Sequence, residues 1–118
     1  MVSLRELWRP GFPVVIAPTA PRTEAAMENA KFLLGQLVTT PGALAALSQA
    51  NQNPVEFLSR HQLGDWGEVP TEDKKENDFS VLNGLRILSA YTLTTGVKIW
   101  IITEADRSVT TILRPEEY

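Results

Sequence analysis

Cysteine is absent from the 118 residues. That excludes a disulfide scaffold, a Cys-ligated zinc or iron–sulfur centre and thiolate chemistry, and it agrees with a cytoplasmic location. Long hydrophobic runs are absent too. No apolar stretch reaches the roughly 18 residues that a membrane-spanning helix needs. Met1 to Phe12 carries Arg5, Glu6 and Arg9, and the apolar stretch after it is broken by Pro13, so neither a signal peptide nor an anchor is read there. Charge of one sign is not in excess: 11 Lys and Arg stand against 14 Asp and Glu, a formal charge of -3. Such a balance gives no long-range attraction to nucleic acid, although charge can still be segregated by face. A Gly-rich phosphate loop is missing, because Thr40-Pro41-Gly42 is short and has no following Lys; no GxSxG elbow, HExxH or EF-hand spacing occurs. His61, Asp65, Asp73 and Glu76 have the right atoms for a metal but not the spacing, so neither metal nor cofactor is expected.

What remains is the material of one domain, large enough to bury a core unaided. Residues 1–31 form a proline-rich arm punctuated by Pro10, Pro13, Pro18 and Pro21, with a short helix expected across Thr23 to Lys31 and with Trp8, Phe12, Val14, Val15 and Ile16 to hold it down. Residues 32–118 form the domain proper. Phe32 to Thr39 reads as a strand. Thr40 then caps a helix over Ala43 to Gln49, with Pro41 in its first turn, and Asn53-Pro54 with Glu56 opens a second that ends near His61. Gly64, Gly67 and Pro70 mark a loop. Thr71 caps a third helix whose thin apolar stripe is Phe79 and Leu82 beside Val81, and Gly84 stops it.

The C-terminal part carries the clearest pattern. Arg86 to Leu93, Val97 to Thr103 and Ser108 to Leu113 are strands joined by the turns Thr94-Thr95-Gly96 and Glu104 to Arg107, an antiparallel meander. The fold class is therefore α+β: a small antiparallel sheet, the meander plus the earlier strand, packed against two to three helices. Alternation puts Ile99 and Ile101 on one face and Lys98, Trp100 and Ile102 on the other. The second face, with Trp100 beside polar neighbours, is where the arm, a partner or a second copy of the chain would lie.

Three clusters could carry chemistry. His61, the only histidine, sits with Arg60 at a helix end before a Gly-containing loop; histidine there is a general base or simply a cation suited to the helix dipole. In Gly64-Asp65-Trp66-Gly67, Asp65 could accept from backbone N–H groups or orient His61, and Trp66 could stack on a base or fill the core. At the second hairpin Glu104, Asp106 and Arg107 lie together, with Thr110 beside them; Arg107 could reach a carboxylate or hold a phosphate.

Four stretches carry a resemblance. They are Leu34-Gly35-Gln36-Leu37-Val38-Thr39-Thr40-Pro41-Gly42-Ala43-Leu44; Phe57-Leu58-Ser59-Arg60-His61-Gln62-Leu63-Gly64-Asp65-Trp66-Gly67; Ser89-Ala90-Tyr91; and the closing run from Trp100-Ile101-Ile102-Thr103-Glu104-Ala105-Asp106-Arg107 to Pro115-Glu116-Glu117-Tyr118. Together they resemble a family of uncharacterised small bacterial proteins carried on plasmids, phages and chromosomes. The resemblance covers residues 33–118 and implies a bacterial mobile-element setting. In layout, helices followed by a meander with late Arg and Thr, the chain also resembles barnase- and RelE-like ribonuclease domains. That resemblance implies His61 as base, Arg107 as the group stabilising the phosphate, and Arg86 or Arg60 as helper.

The expected function is that of a small regulatory or interaction protein whose partner is another macromolecule, protein first and RNA or DNA second, with no membrane involved and a homodimer left open. The alternatives are a metal-independent ribonuclease using His61 and Arg107 and a non-catalytic nucleic-acid module. In the latter, Trp66 would stack while Arg60 or Arg107 contacts phosphate.

Overall fold

The computed structural model describes residues 14–16 and 29–118; the rest of the expected arm, with Trp8, Phe12 and most of the Thr23 to Lys31 helix, lies outside the described residues. The elements run β1 (Val14–Ile16), β2 (Gln36–Thr39), α1 (Pro41–Gln49), α2 (Pro54–Gln62), α3 (Thr71–Asn83), β3 (Ile87–Thr92), β4 (Lys98–Thr103), β5 (Val109–Leu113) and a closing 3₁₀ turn (Pro115–Glu117). The fold is α+β. One sheet holds the strands in the order β1-β2-β5-β4-β3. The C-terminal meander is antiparallel throughout, Ser89 facing Ile101 and Ile101 facing Ile112. The earlier strand joins it in parallel, with Leu37 facing Thr110 and Thr39 facing Ile112. β1 adds a short antiparallel edge, so this part of the arm is strand rather than irregular strap.

β2 is shorter than the sequence pattern suggests. Phe32 and Leu34 are buried and Leu33 is 73% exposed, an alternation that looks like strand, but regular pairing starts only at Gln36. Gly35 explains the delay. It turns with φ +68 against the main chain of Arg107 and Ser108, where a Cβ would collide, and so lets Gln36 N–H reach the Ser108 carbonyl at 3.0 Å.

α1 and α2 start where their caps place them. The Thr40 hydroxyl accepts from Ala43 N–H and the Asn53 side chain from Val55 N–H, each with proline in the first turn. Glu56 accepts from the Gln52 side chain at 3.4 Å. The two helices lay Ala43, Ala46, Leu47, Phe57 and Leu58 against Leu37, Ile87, Tyr91, Ile99, Ile101 and Ile112 to make the core. Each such fully buried aliphatic or aromatic side chain contributes about 1.5–3 kcal/mol.

α3 departs from expectation. Its cap residue is Pro70, with no side-chain cap bond, rather than Thr71, and two of the three apolar residues expected to pack point outward: Phe79 is 58% and Leu82 85% exposed, while Val81 packs on the core and Asn77 and Ser80 are buried. The reason is the edge of the sheet. α3 lies along β3, whose outer backbone groups have no neighbouring strand among the described residues. The Asn77 amide fills that role, donating to the Leu88 carbonyl at 2.7 Å and accepting from Leu88 N–H at 3.1 Å. One residue pair further along, Ala90 N–H donates to the Trp66 carbonyl and Glu68 N–H to the Ala90 carbonyl, so the loop after α2 serves as a second edge cover. Gly67 is required there: its φ is +73 and a side chain would run into the Ala90 carbonyl.

Candidate functional site

α2 presents Phe57, Leu58 and His61 on its inner face, one turn apart. His61 is thereby carried into the core, with no exposed surface. Its Nδ1 lies 2.5 Å from the Ser89 hydroxyl and its Nε2 2.9 Å from the Thr103 hydroxyl. Thr103 continues to the Thr110 hydroxyl at 2.8 Å, and Thr110 donates to the Leu34 carbonyl at 2.7 Å. The last bond fixes the direction of the others. Thr110 gives its proton to Leu34 and so accepts from Thr103; Thr103 in turn accepts from His61 Nε2–H, which leaves Nδ1 to accept from Ser89. Every polar atom on this path is satisfied by a neutral imidazole.

The walls of this site are aromatic. Phe32 and Trp66 meet the His61 ring edge-on, at 5.1 and 5.8 Å between ring centroids. Burial, and secondly the positive charge of Arg107, push the His61 pKa down to about 3. A base at neutral pH needs a pKa near the working pH and a path to its substrate. His61 has neither.

The other residues singled out by sequence fall into separate places. Trp66 is buried, stacks on Phe32 at 6.1 Å and donates its indole N–H to Asp78. Asp65 does not orient His61. Its carboxylate accepts from Arg60 at 2.7 Å and from Gly67 N–H, while the Asp65 carbonyl takes the Tyr91 hydroxyl. The Arg60 guanidinium, 4.6 Å from the centre of the Tyr91 ring, holds Asp65 below the usual carboxylate range. Arg107 meets the far partner of His61, the Phe32 ring, at 5.6 Å. Its N–H groups go to the main-chain carbonyls of Ser80, Leu85, Glu104 and Ala105, rather than to a carboxylate as expected. With φ +60, Arg107 fastens the end of α3 to the β4–β5 turn. Asp106 accepts from Ser108 in the same turn. His61 and Arg107 are thus neighbours through Phe32, in packed structure and not across a cleft.

Arg86 and Glu104 belong to the opposite face. Arg86 donates to the buried Glu104 carboxylate at 3.3 Å and to the Tyr118 hydroxyl at 3.1 Å. Tyr118 lies edge-on to Trp100, 5.8 Å between centroids. Beside them is an open hollow of about 340 Å³ lined by Asp73, Glu76, Arg86, Leu88, Trp100 and Ile102 among others. A second, of about 170 Å³, shares Asp73, Leu88 and Trp100 with it and runs on past Glu68 and Lys98. The two adjoin at these shared residues, over the Trp100 side of the sheet and beside α3, and are called the Trp100 groove below. Alternation along β4 already placed Ile102 on the Trp100 face. Asp73, Glu76 and Tyr118 were not legible as groove residues, because nothing local to α3 or to the C-terminus tells where either comes to rest. Among the described residues no three His, Asp or Glu side chains are grouped as a metal would need, and no helix is long and apolar enough to cross a membrane. No family model, no curated protein and no solved structure matches this chain.

Proposed function

We propose that this chain is a small interaction protein that holds a segment of another protein in the Trp100 groove and performs no catalytic step of its own. The observation that carries this reading is that the half-buried Trp100 floors an open, largely apolar groove, while the only histidine is locked into the core. An aromatic ring in a concave apolar setting is the common anchor of protein recognition. The proposal places it in a bacterial mobile element, a setting supported by the resemblance of residues 33–118 to proteins of plasmids and phages. A ribonuclease would have to bring a phosphodiester to His61 through Phe32 and Trp66, breaking the bonds to Ser89 and Thr103 on the way.

The test is cross-linking inside the host cell. A photoreactive phenylalanine analogue replaces Lys98, at the groove, or Gln49, exposed on α1. The expected result is one defined protein captured from position 98 and not from 49. That protein, once purified, binds the native chain and loses binding to Trp100→Ala. Equal capture from both positions, or binding that ignores Trp100, overturns the proposal.

A further inference from the structure

We propose that the groove selects an extended peptide segment in which a lysine or arginine stands next to an aliphatic residue, its cationic group set between the Trp100 and Tyr118 rings and the carboxylates of Asp73 and Glu76. The inference rests on the reading of the groove as a protein-binding site and adds the chemistry of the occupant.

Shape comes first. The two hollows adjoin at Leu88, Trp100 and Asp73, which line both, and each is open rather than enclosed. Such a space fits an extended chain with side chains entering successive hollows, and it would leave a compact small molecule mostly in water. Composition comes next. The floor of the larger hollow is Leu88, Ile102 and the two aromatic rings, which take an aliphatic side chain or the methylene stem of a long cationic one.

Charge then decides between occupants. Asp73 and Glu76 are three residues apart on α3, on the same side of the helix, and both line the larger hollow. Arg86, the one cation lining it among the described residues, is engaged by Glu104 and by the Tyr118 hydroxyl. The wall of that hollow is therefore acidic, and Trp100 and Tyr118 line the same hollow. A guanidinium or ammonium group gains from both, by ion pairing on one side and by ring attraction on the other. Nucleic acid meets the reverse situation, since its phosphates would approach two carboxylates. The smaller hollow, lined by Glu68, the shared Asp73 and Lys98, keeps an acidic excess too; the cation is assigned to the larger because Trp100 and Tyr118 both line it.

The experiment is selection from a random twelve-residue peptide library displayed on phage, with the purified full chain as target. Selected peptides are resynthesised and titrated against wild type, Asp73→Asn/Glu76→Gln and Trp100→Ala, each checked for its fold by circular dichroism. The expected result is enrichment of Lys or Arg beside an aliphatic residue, with affinity about tenfold weaker for the double carboxylate variant and falling with added salt. Trp100-dependent peptides without a cation, or with affinities unchanged in the double variant, overturn this inference and leave the groove as a protein site. If no selected peptide depends on Trp100, both readings fall. The same follows if single-stranded RNA binds the groove while peptides do not.

Discussion

The Thr40 hydroxyl donates to the Glu117 carboxylate at 2.6 Å, across a sequence separation of 77 residues. Glu117 also accepts from Arg114 N–H at 2.8 Å, and it lies so close over Gly42 that any side chain there would displace it. The carboxylate thus sits at the N-terminal end of α1, where its charge is favourable to the helix, and it ties the last turn of the chain to the first helix. That turn positions Tyr118 beside Trp100. Glu117→Ala is expected to cost about 1–2 kcal/mol by urea denaturation, and Gly42→Ala to cost a similar amount by pushing Glu117 away. An unchanged midpoint in both would show that the tie is incidental.

The relay through His61 predicts a large structural effect without a catalytic one. His61→Ala leaves Ser89 and Thr103 without their partner and opens a cavity among Phe32, Trp66 and Phe57, for a loss of about 3–5 kcal/mol. RNA incubated with the wild-type protein is expected to stay intact. Cleavage by wild type that disappears in a folded His61 variant would restore the ribonuclease reading.

His61 also sets a pH dependence with a definite sign. Its folded pKa is lowered to about 3, against about 6.5 in an unfolded chain. The unfolded state therefore takes up the proton first. The stabilising contribution is complete above about pH 6.5 and shrinks as pH falls toward the folded value, by about 2 kcal/mol at pH 5. Carboxylates titrate mainly below that window, so the slope between pH 6.5 and 5 reports His61. Stability measured by denaturation should fall across it, and the imidazole C–H proton signals should hold constant from pH 8 to 5. Titration of those signals near pH 6.5 would mean that the ring is solvated.

Asn77 is the guard of the β3 edge. Asn77→Ala removes both bonds to Leu88, at a cost of about 2–4 kcal/mol. The freed edge is open to pairing with another chain, and light scattering should show association at high concentration. Gly67→Ala strikes the second cover of the same edge and is expected to destabilise by at least about 2 kcal/mol. A monomeric Asn77→Ala of native stability would mean that α3 does not serve the edge.

Much of this was readable from residue order. Proline after Thr40 and after Asn53 located two helix starts to the residue, and alternation with short turns, one of them holding Gly96, located three strands and put Trp100 opposite Ile99. These are local signals, set by backbone sterics and by a period of two. The parallel pairing of β2 with β5 was not readable, because a four-residue strand holds no record of its partner. Nor was the reversal of α3: Phe79 and Leu82 look like its core stripe until the unpaired backbone of Leu88 shows that an amide is needed there instead. His61 at a helix end reads as a general base or as a cation suited to the helix dipole, and neither reading puts it in the core. Only the arrival of Ser89, Thr103 and Thr110 from three strands decides it. Of the acidic wall, Asp73 and Glu76 were visible only as groups with the atoms for a metal and not the spacing.

The most direct measurement is a titration followed by the indole N–H signals of Trp66 and Trp100 in ¹⁵N-labelled protein. Increasing amounts of a capped pentapeptide with one arginine between aliphatic residues should move the Trp100 signal saturably and leave Trp66, bonded to Asp78, in place. The same peptide with glutamate for arginine should move neither. A Trp100 signal indifferent to the arginine peptide, or equally responsive to the glutamate one, would contradict the assignment of this groove to a cationic segment.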